Sequence, residues 1–388
     1  VNPNRLLVID DEPDICEFIK DAAEGTGFEV TATSDPDDFR SSYRDISPTV
    51  IILDLQIPDA DGVELLRYLA EDQCGAGILL ISGVDSRVLS TARRLGASRG
   101  LNMLGSLQKP IMLDDLDATL RQAMKREYSV TERDLKDAID NGHLCLHYQP
   151  KVSLRSDSNS QIDGAEALVR WQHPQHDLLM PDEFIPLAEE SGLISALTDF
   201  VLEEAIKQMR LWRDDGLPMS VAVNLAPQLL HQMDLPDRVG EMLKSHDMKG
   251  DNLILEITET AAMTDTTRTM DILTRFRIKD IGLSIDDFGT GYSSFVQLYR
   301  MPFSELKIDK SFVLDMHQDE EAEIIVRSIA NLGHNLGLSL CAEGVETRES
   351  LDLLRSFGCE KMQGYLVSRP LEADALGDFV ADWDPQTV

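Results

Sequence analysis

The stretch LSIDDFGTGYSS, residues 283–294, sets two aspartates at the end of a short apolar run and follows them with glycines. An apolar run of this length, bounded by turn residues, reads as a buried strand. Asp286 and Asp287 then stand side by side with no basic residue next to them in sequence. One carboxylate at a strand end is commonly the cap of the next helix, so a single case says little. The pattern recurs. LCLHYQP carries Gln149, GAEALVRW carries Glu166 and Arg170, and MSVAVNLAP carries Asn224. NLILEITET carries Glu256 and Glu259, SELKIDKSF carries Lys307 and Asp309, LSLCAEGVE carries Glu343 and Glu346, and KMQGYLVSRP carries Gln363 and Arg369. Helical patterns such as FVLEEAIKQMRLWRDDG and AEIIVRSIANLGHNLG lie between most of them. Eight strand candidates with intervening helices in about 250 residues fit a TIM (β/α)8 barrel, whose active sites lie at the C-terminal strand ends.

Glu166, Asn224, Glu256 and Asp286, with Asp287 beside them, would converge at that end of the barrel. The set offers oxygen donors without histidine or cysteine, which selects Mg²⁺ or Mn²⁺ over zinc. Burying unpaired carboxylates costs on the order of several kcal/mol each. A shared cation removes that cost and lets a phosphate approach. Adjacent aspartates suit two ions, the arrangement that clamps both oxygens in phosphoryl displacement. The GTG of residues 289–291 is by itself a weak phosphate-loop signal, and His143, His147, His173 and His176 show no ligand spacing with the acids.

The beginning of the chain has another rhythm. LLVIDD, FEVTATS, TVIILDL, GILLISG and a short run near LGSLQKP read as strands, with helical patterns between them. Such alternation predicts a doubly wound parallel sheet, an α/β fold with ligands at the carboxyl ends of its strands. Asp10, Asp11, Asp54, Ser82 and Lys109 all fall at those ends. Three acids around one point suit one Mg²⁺. A lysine and a hydroxyl beside them suit an added phosphoryl group. The segment MKREYSVTERDLKDAIDNG, with Thr131 three residues before Asp134, predicts helix, short break and helix rather than a flexible tether. The expected organisation is a first domain over 1–124, a linker over 125–134 and a barrel over 135–388.

Composition narrows the function. Of 388 residues, 69 are acidic and 36 basic, for a formal net charge of -33. Such a surface repels nucleic-acid phosphates and anionic lipid. With no basic helix-turn-helix, a DNA-binding regulator is disfavoured. The five scattered cysteines form no C-x-x-C pair and read as reduced thiols of a cytoplasmic protein. No apolar run approaches the roughly 20 residues of a membrane span, and the start of the chain lacks a signal-peptide pattern, so no membrane insertion is expected.

Residues 4–124 resemble the receiver domain of two-component response regulators, through the acidic pair, the aspartate of LDLQIPDADG, the serine and the Lys-Pro. The resemblance implies a flavodoxin-like fold with Asp54 as phosphoacceptor. It implies Asp10, Asp11 and Asp54 around Mg²⁺, Ser82 and Lys109 on the phosphoryl group, and a cognate histidine kinase or phosphotransfer protein as partner. One departure is Ser106, where receivers usually carry an aromatic residue, within a segment, GLNMLGSLQKP, longer than usual.

Residues 131–380 resemble the EAL domain of cyclic di-GMP phosphodiesterases, through YQPK, EALVR, NLA, EITE, DDFGTGYS, LKIDKSF, AEGVE and QGY in that order. The resemblance implies a modified barrel with an antiparallel first strand, and hydrolysis of cyclic di-GMP to linear 5′-pGpG tuned by Asp54. It places Glu166, Asn224, Glu256 and Asp286 on a first metal and Asp287 on a second. Lys307 would hold the water or the second metal site, and Glu343 would move a proton or orient the nucleophile. Gln149, Leu168, Arg170 and Gln363 would contact the dinucleotide. Glu259 would brace the loop that starts at Asp286, and Glu346 would also serve as loop support. A homodimer or higher homo-oligomer is implied for both domain types. A catalytically silent cyclic di-GMP receptor is the competing reading, but silent EAL domains usually lose metal ligands that this chain keeps.

Overall fold

The apolar run at the start of the chain forms an inner strand of a five-stranded sheet. In this computed structural model the structure describes residues 4–57, 60–83, 86–125, 130–154, 160–174, 178–264, 266–289 and 295–384. The chain divides into two units, Val1–Ser129 and Val130–Val388. In the first, strands β1 (Asn4–Ile9), β2 (Phe28–Thr33), β3 (Val50–Asp54), β4 (Gly77–Ser82) and β5 (Met103–Gln108) are all parallel, in the order β2-β1-β3-β4-β5. Their side chains alternate between two separate cores. Leu7, Ile9, Ile51 and Leu53 enter one, and Leu6, Val8, Val50 and Ile52 the other. A sheet buried on both faces needs apolar residues at consecutive positions, which is why VIIL reads as an unbroken run. The order reverses between β1 and β3, and Asp10 and Asp54 lie at that switch point.

The lengthened segment before Lys109 has a structural account. Ile78 pairs with Met103, but the next residue, Leu79, pairs with Gly105. One extra residue, Leu104, is therefore taken up in a β-bulge. Gly105 has φ 146°, a backbone that favours glycine. The Leu104 side chain lies against Gly77, where a Cβ would meet it at 2.8 Å.

In the second unit eight strands close a barrel: β6 (Leu144–Ser153), β7 (Gln161–Gln172), β8 (Ser220–Asn224), β9 (Leu253–Thr258), β10 (Gly282–Phe288), β11 (Glu305–Ile308), β12 (Ser339–Ala342) and β13 (Lys361–Met362). Strands β7 to β13 are parallel neighbours in chain order. β6 is antiparallel to both β7 and β13 and closes the ring. The modified barrel with a reversed first strand is borne out. Two strands adjacent in space and joined by only seven residues pair antiparallel. Helices including Ile194–Asp214, Leu235–Ser245, Thr266–Ile278 and Glu320–Leu336 cover the outside. Along β11, Leu306 and Ile308 enter the apolar layer beneath the helices, while Glu305 and Lys307 point inward. Barrel interiors of this class are usually filled by Val, Ile and Leu. Here Lys151, Glu166, Glu256, Ser284, Glu305 and Lys307 are buried in it.

The barrel unit starts earlier than the sequence boundary of 135. Thr131 and Asp134 form a reciprocal capping box that opens helix Glu132–Asn141, and Leu135 and Ala138 of that helix are buried in the barrel core. Residues 130–134, read as linker, thus belong to the second unit. The cap gives a direct test. Thr131→Ala is expected to destabilise the barrel unit by about 1 kcal/mol. Tryptophan fluorescence in urea would show it, because all three tryptophans (Trp171, Trp212, Trp383) lie in that unit.

Candidate active site

On a regular strand two consecutive side chains point to opposite faces. β10 avoids this at Asp286 and Asp287. Ile285 pairs with Leu306 and Phe288 with Ile308, so three steps on β10 face two on β11. This bulge holds the aspartate pair. Asp287 has φ 54°, in the left-handed region that short polar residues tolerate better than branched ones. Asp286 Oδ1 accepts from the Asp287 N–H at 2.9 Å. The loop continues to Gly289, whose N–H donates to Glu259 Oε2 at 2.9 Å. Residues 290–294 of the glycine-rich segment lie outside the described residues, as does His176.

Lys307 is the hub of the barrel's C-terminal end. Its Nζ lies 2.6 Å from Glu256 Oε2, 2.5 Å from Glu343 Oε1, 3.2 Å from Asp286 Oδ1 and 3.7 Å from Glu166 Oε2. Glu256 Oε1 takes a second ammonium, Lys151 Nζ, at 2.5 Å. Glu166 accepts from Asn224 Nδ2 on Oε1 and from Gln363 Nε2 on Oε2, both at 2.7 Å. Gln363 Nε2 also reaches Gln149 Oε1 at 2.8 Å, and Gln149 donates to the Ser368 carbonyl at 3.2 Å. Arg170 is buried and donates through Nη1 to the Val169 carbonyl, but its Nε has no partner among the described residues. Leu168 lines a cavity of about 240 Å³ together with Asn224, Thr258, Ile185 and Pro227. Glu346 is exposed, and none of the described hydrogen bonds or ion pairs involves its side chain. The structure therefore brings Glu259 to the loop but not Glu346.

The electrostatics are unbalanced. Five carboxylates (Glu166, Glu256, Asp286, Asp287, Glu343) share two ammonium groups, Lys151 and Lys307. Burial works against the charge of Glu256, yet the two lysines hold its carboxyl down at about 2. Burial pushes Glu343 up to about 8 against the pull of Lys307, helped by repulsion from Asp286, Glu166 and Glu256. Burial, with Asp286 and Asp309 beside it, pushes Asp287 up to about 6. Both groups hold their protons mainly because they are buried, and repulsion among the acids adds to it, a combination that a divalent cation offsets. The donors are oxygen atoms, as Mg²⁺ and Mn²⁺ require, so the residues fit such ions.

The first unit holds a separate acidic site. Asp10 and Asp54 are buried at the ends of β1 and β3, and Asp11 is exposed. One oxygen from each of the three lies within 4.8 Å of the others, close enough to share an ion. Lys109 Nζ lies 2.7 Å from Asp54 Oδ2, 3.0 Å from Asp10 Oδ2 and 2.8 Å from Glu12 Oε1. Burial opposes the charge of Lys109, but its bonds to Asp54, Glu12 and Asp10 outweigh this and raise its pKa. Ser82 is fully buried at the end of β4, beside β3.

The EAL domain family matches residues 132–370, and the response regulator receiver domain matches residues 6–121. The chain belongs to the EAL domain family. Its first unit is a response regulator receiver domain, and EAL domains are metal-dependent phosphodiesterases. The chain is 31% identical to the cyclic di-GMP phosphodiesterase RocR of Pseudomonas aeruginosa, over 98% of this chain and 99% of that one. It is 45% identical to the bifunctional diguanylate cyclase/cyclic di-GMP phosphodiesterase MucR of the same organism, over 64% of this chain but only 36% of MucR. A solved PaMucR phosphodiesterase in complex with c-di-GMP matches with TM-score 0.60 and 44% identity, covering 63% of this chain and 98% of that one. No described helix is long and apolar enough to cross a membrane.

Sequence reading passed over four groups at these sites. Lys151 sits inside the quoted YQPK, but nothing in a lone lysine marks it as the second partner of Glu256. Glu305 alternates with Leu306 as Lys307 does, but its partner Lys361, at 2.9 Å, lies 56 positions away in sequence. Glu12 is one residue beyond the acidic pair of the EAL chain's receiver. For the bulge, the expected outcome concerns side-chain shape. Asp287→Asn should leave the melting point nearly unchanged, whereas Asp287→Val should destabilise the barrel by about 1–2 kcal/mol, the penalty for a left-handed non-glycine residue. Thermal unfolding followed by tryptophan fluorescence separates the two.

Proposed function

We propose that the barrel hydrolyses cyclic di-GMP to linear 5′-pGpG, and that the receiver tunes the rate through phosphorylation of Asp54. The observation that carries this reading is the constellation at the strand ends. Glu166, Glu256 and Asp286 surround the Lys307 ammonium, with Asn224 on Glu166, Asp287 next to Asp286, and Gln149 and Gln363 alongside. The names of RocR and PaMucR carry the same substrate, and RocR matches over the full length. Glu166, Asn224, Glu256 and Asp286 would hold one divalent ion and Asp287 a second. Bound there, two Mg²⁺ or Mn²⁺ ions would supply Lewis-acid polarisation of the phosphodiester and lower the pKa of an attacking water.

The chain's own groups do the rest. Arg170 Nε, which has no partner among the described residues, is a buried donor suited to a phosphate oxygen. The Gln149–Gln363 pair fixes carboxamides beside the reacting end, and Leu168 offers apolar surface to a base. Glu343, in contact with Lys307, is placed to take the proton of the water. Water adds to phosphorus, the P–O3′ bond breaks, and the 3′-oxygen leaves with a proton. In the receiver, Asp54 is the phosphoacceptor, with one Mg²⁺ on Asp10, Asp11 and Asp54. Lys109 and Ser82 meet the phosphoryl group, and a cognate histidine kinase or phosphotransfer protein supplies it. The working form is a homodimer or higher homo-oligomer.

The test is turnover of labelled cyclic di-GMP with Mg²⁺ or Mn²⁺, with excess chelator, and with acetyl phosphate as donor. Glu166→Ala and Asp287→Ala are each expected to lower kcat roughly 100- to 1,000-fold, the effect of losing one preorganised electrostatic group. Normal rates in either variant, or binding without turnover in the unaltered chain, would overturn the reading in favour of a silent receptor. Acetyl phosphate should raise the rate of the unaltered chain and leave Asp54→Asn unchanged.

A further inference from the structure

Inside the barrel, below the residues assigned to the ions, charges of opposite sign meet in pairs. Lys361 Nζ on β13 lies 2.9 Å from Glu305 Oε2 on β11. Lys151 on β6 lies in the field of Glu305 and 2.5 Å from Glu256 Oε1 on β9. Glu256 Oε2 meets Lys307, which meets Glu343. Lys151 is 1% exposed, and Glu305 Oε1 has no hydrogen-bond partner among the described residues. The two lysines on Glu256 are not equivalent. Lys307 is shared by four carboxylates, so a cation among them competes with it directly. Lys151 forms its ion pair with Glu256 alone among the described residues, and does so from the reversed strand. Its register partner is Gly164, whereas Gln149 pairs with Glu166, so Lys151 lies one layer deeper than the ligand set.

We propose that Lys151 is a positioning residue for catalysis. It fixes one oxygen of Glu256 from beneath so that the other is aimed at the carboxylate cluster where the ions bind. The inference rests on the phosphodiesterase reading for its kinetic consequence, but not for its effect on ion binding. A lysine that served only as a counter-charge would weaken cation binding by repulsion, and removing it would tighten the site. A lysine that positions a ligand does the reverse. Outer partners of metal ligands typically change metal affinity or activity by about 10- to 100-fold when removed.

The experiment uses the full chain and the variant Lys151→Met, which keeps the length of the side chain and removes its charge. Calorimetric titration with Mn²⁺ alone reads the affinity of the barrel site. Heat from the receiver site is subtracted with an Asp286→Ala/Asp287→Ala chain. The expected result is Mn²⁺ affinity weaker by about ten-fold or more, and kcat lower by a similar factor with KM for cyclic di-GMP unchanged. A folded Lys151→Met chain with equal or tighter Mn²⁺ binding and an unaltered kcat overturns the proposal. Should that variant fail to fold, Lys151→Gln removes the same charge with a polar side chain: weaker Mn²⁺ binding supports the proposal, and equal or tighter binding overturns it. If the unaltered chain binds Mn²⁺ but turns over no cyclic di-GMP, the function assigned to the barrel fails, while the Mn²⁺ affinities still decide the role of Lys151.

Discussion

Everything at the catalytic end of the barrel is arranged around one ammonium group. Lys307 Nζ is fully buried and faces four carboxylates at once, the nearest at 2.5 Å. A buried carboxylate without a partner is strongly destabilising, and so is a buried lysine. Each side therefore requires the other in the folded chain. The balance is still incomplete, because Lys151 and Lys307 together cannot neutralise five acids. Glu343 and Asp287 hold protons more tightly than usual, mainly because they are buried and in part because neighbouring acids repel them. A site that folds with a cation deficit is prepared for metal before any metal arrives.

The backbone makes that crowding possible through two departures from barrel regularity. One is the bulge in β10, which keeps the carboxyl of Asp287 near that of Asp286 instead of turning it to the opposite face. The other is the reversal of β6. In a parallel barrel the residues near the beginning of a strand lie far from the active site. Reversal brings Gln149 level with Glu166 and Lys151 level with Gly164, so one strand supplies both a carboxamide at the site and a cation beneath it. The β5 bulge in the receiver follows the same logic on a smaller scale, absorbing Leu104 without moving Lys109 from the end of β5, where its ammonium meets Asp54.

Much of this was legible in the sequence because it depends on period and on residue type. Runs such as VIILD and LSIDD are too short and too apolar to be surface helices, and their polar ends fall where strands end. The order of the motifs carried the rest of the architecture, including the reversed strand, which hydropathy alone does not encode. What stayed hidden depends on three-dimensional pairing. The partnership of Lys151 with Glu256 joins residues 105 positions apart, and that of Lys361 with Glu305 joins residues 56 apart. The bulge at Asp286 and Asp287 is set by the register of β11, so no local pattern announces it. The start of the barrel unit is hard to read for a different reason: its first helix is polar on most positions, and of its residues Leu135, Ala138 and Ile139 carry it onto the core.

The chain's net charge of -33 then acquires a role in selectivity. At long range the surface repels an anionic dinucleotide as it would any nucleic acid. Entry is favourable only where local positive charge exceeds the background within about a Debye length, roughly 8–10 Å. Arg170 keeps one nitrogen without a partner among the described residues, while Lys307 is fully engaged by carboxylates. Attraction for a phosphodiester therefore depends on cations bound among those carboxylates, since without them the cluster itself repels it. Metal loading and substrate binding are in this way linked by charge alone, before any step of chemistry.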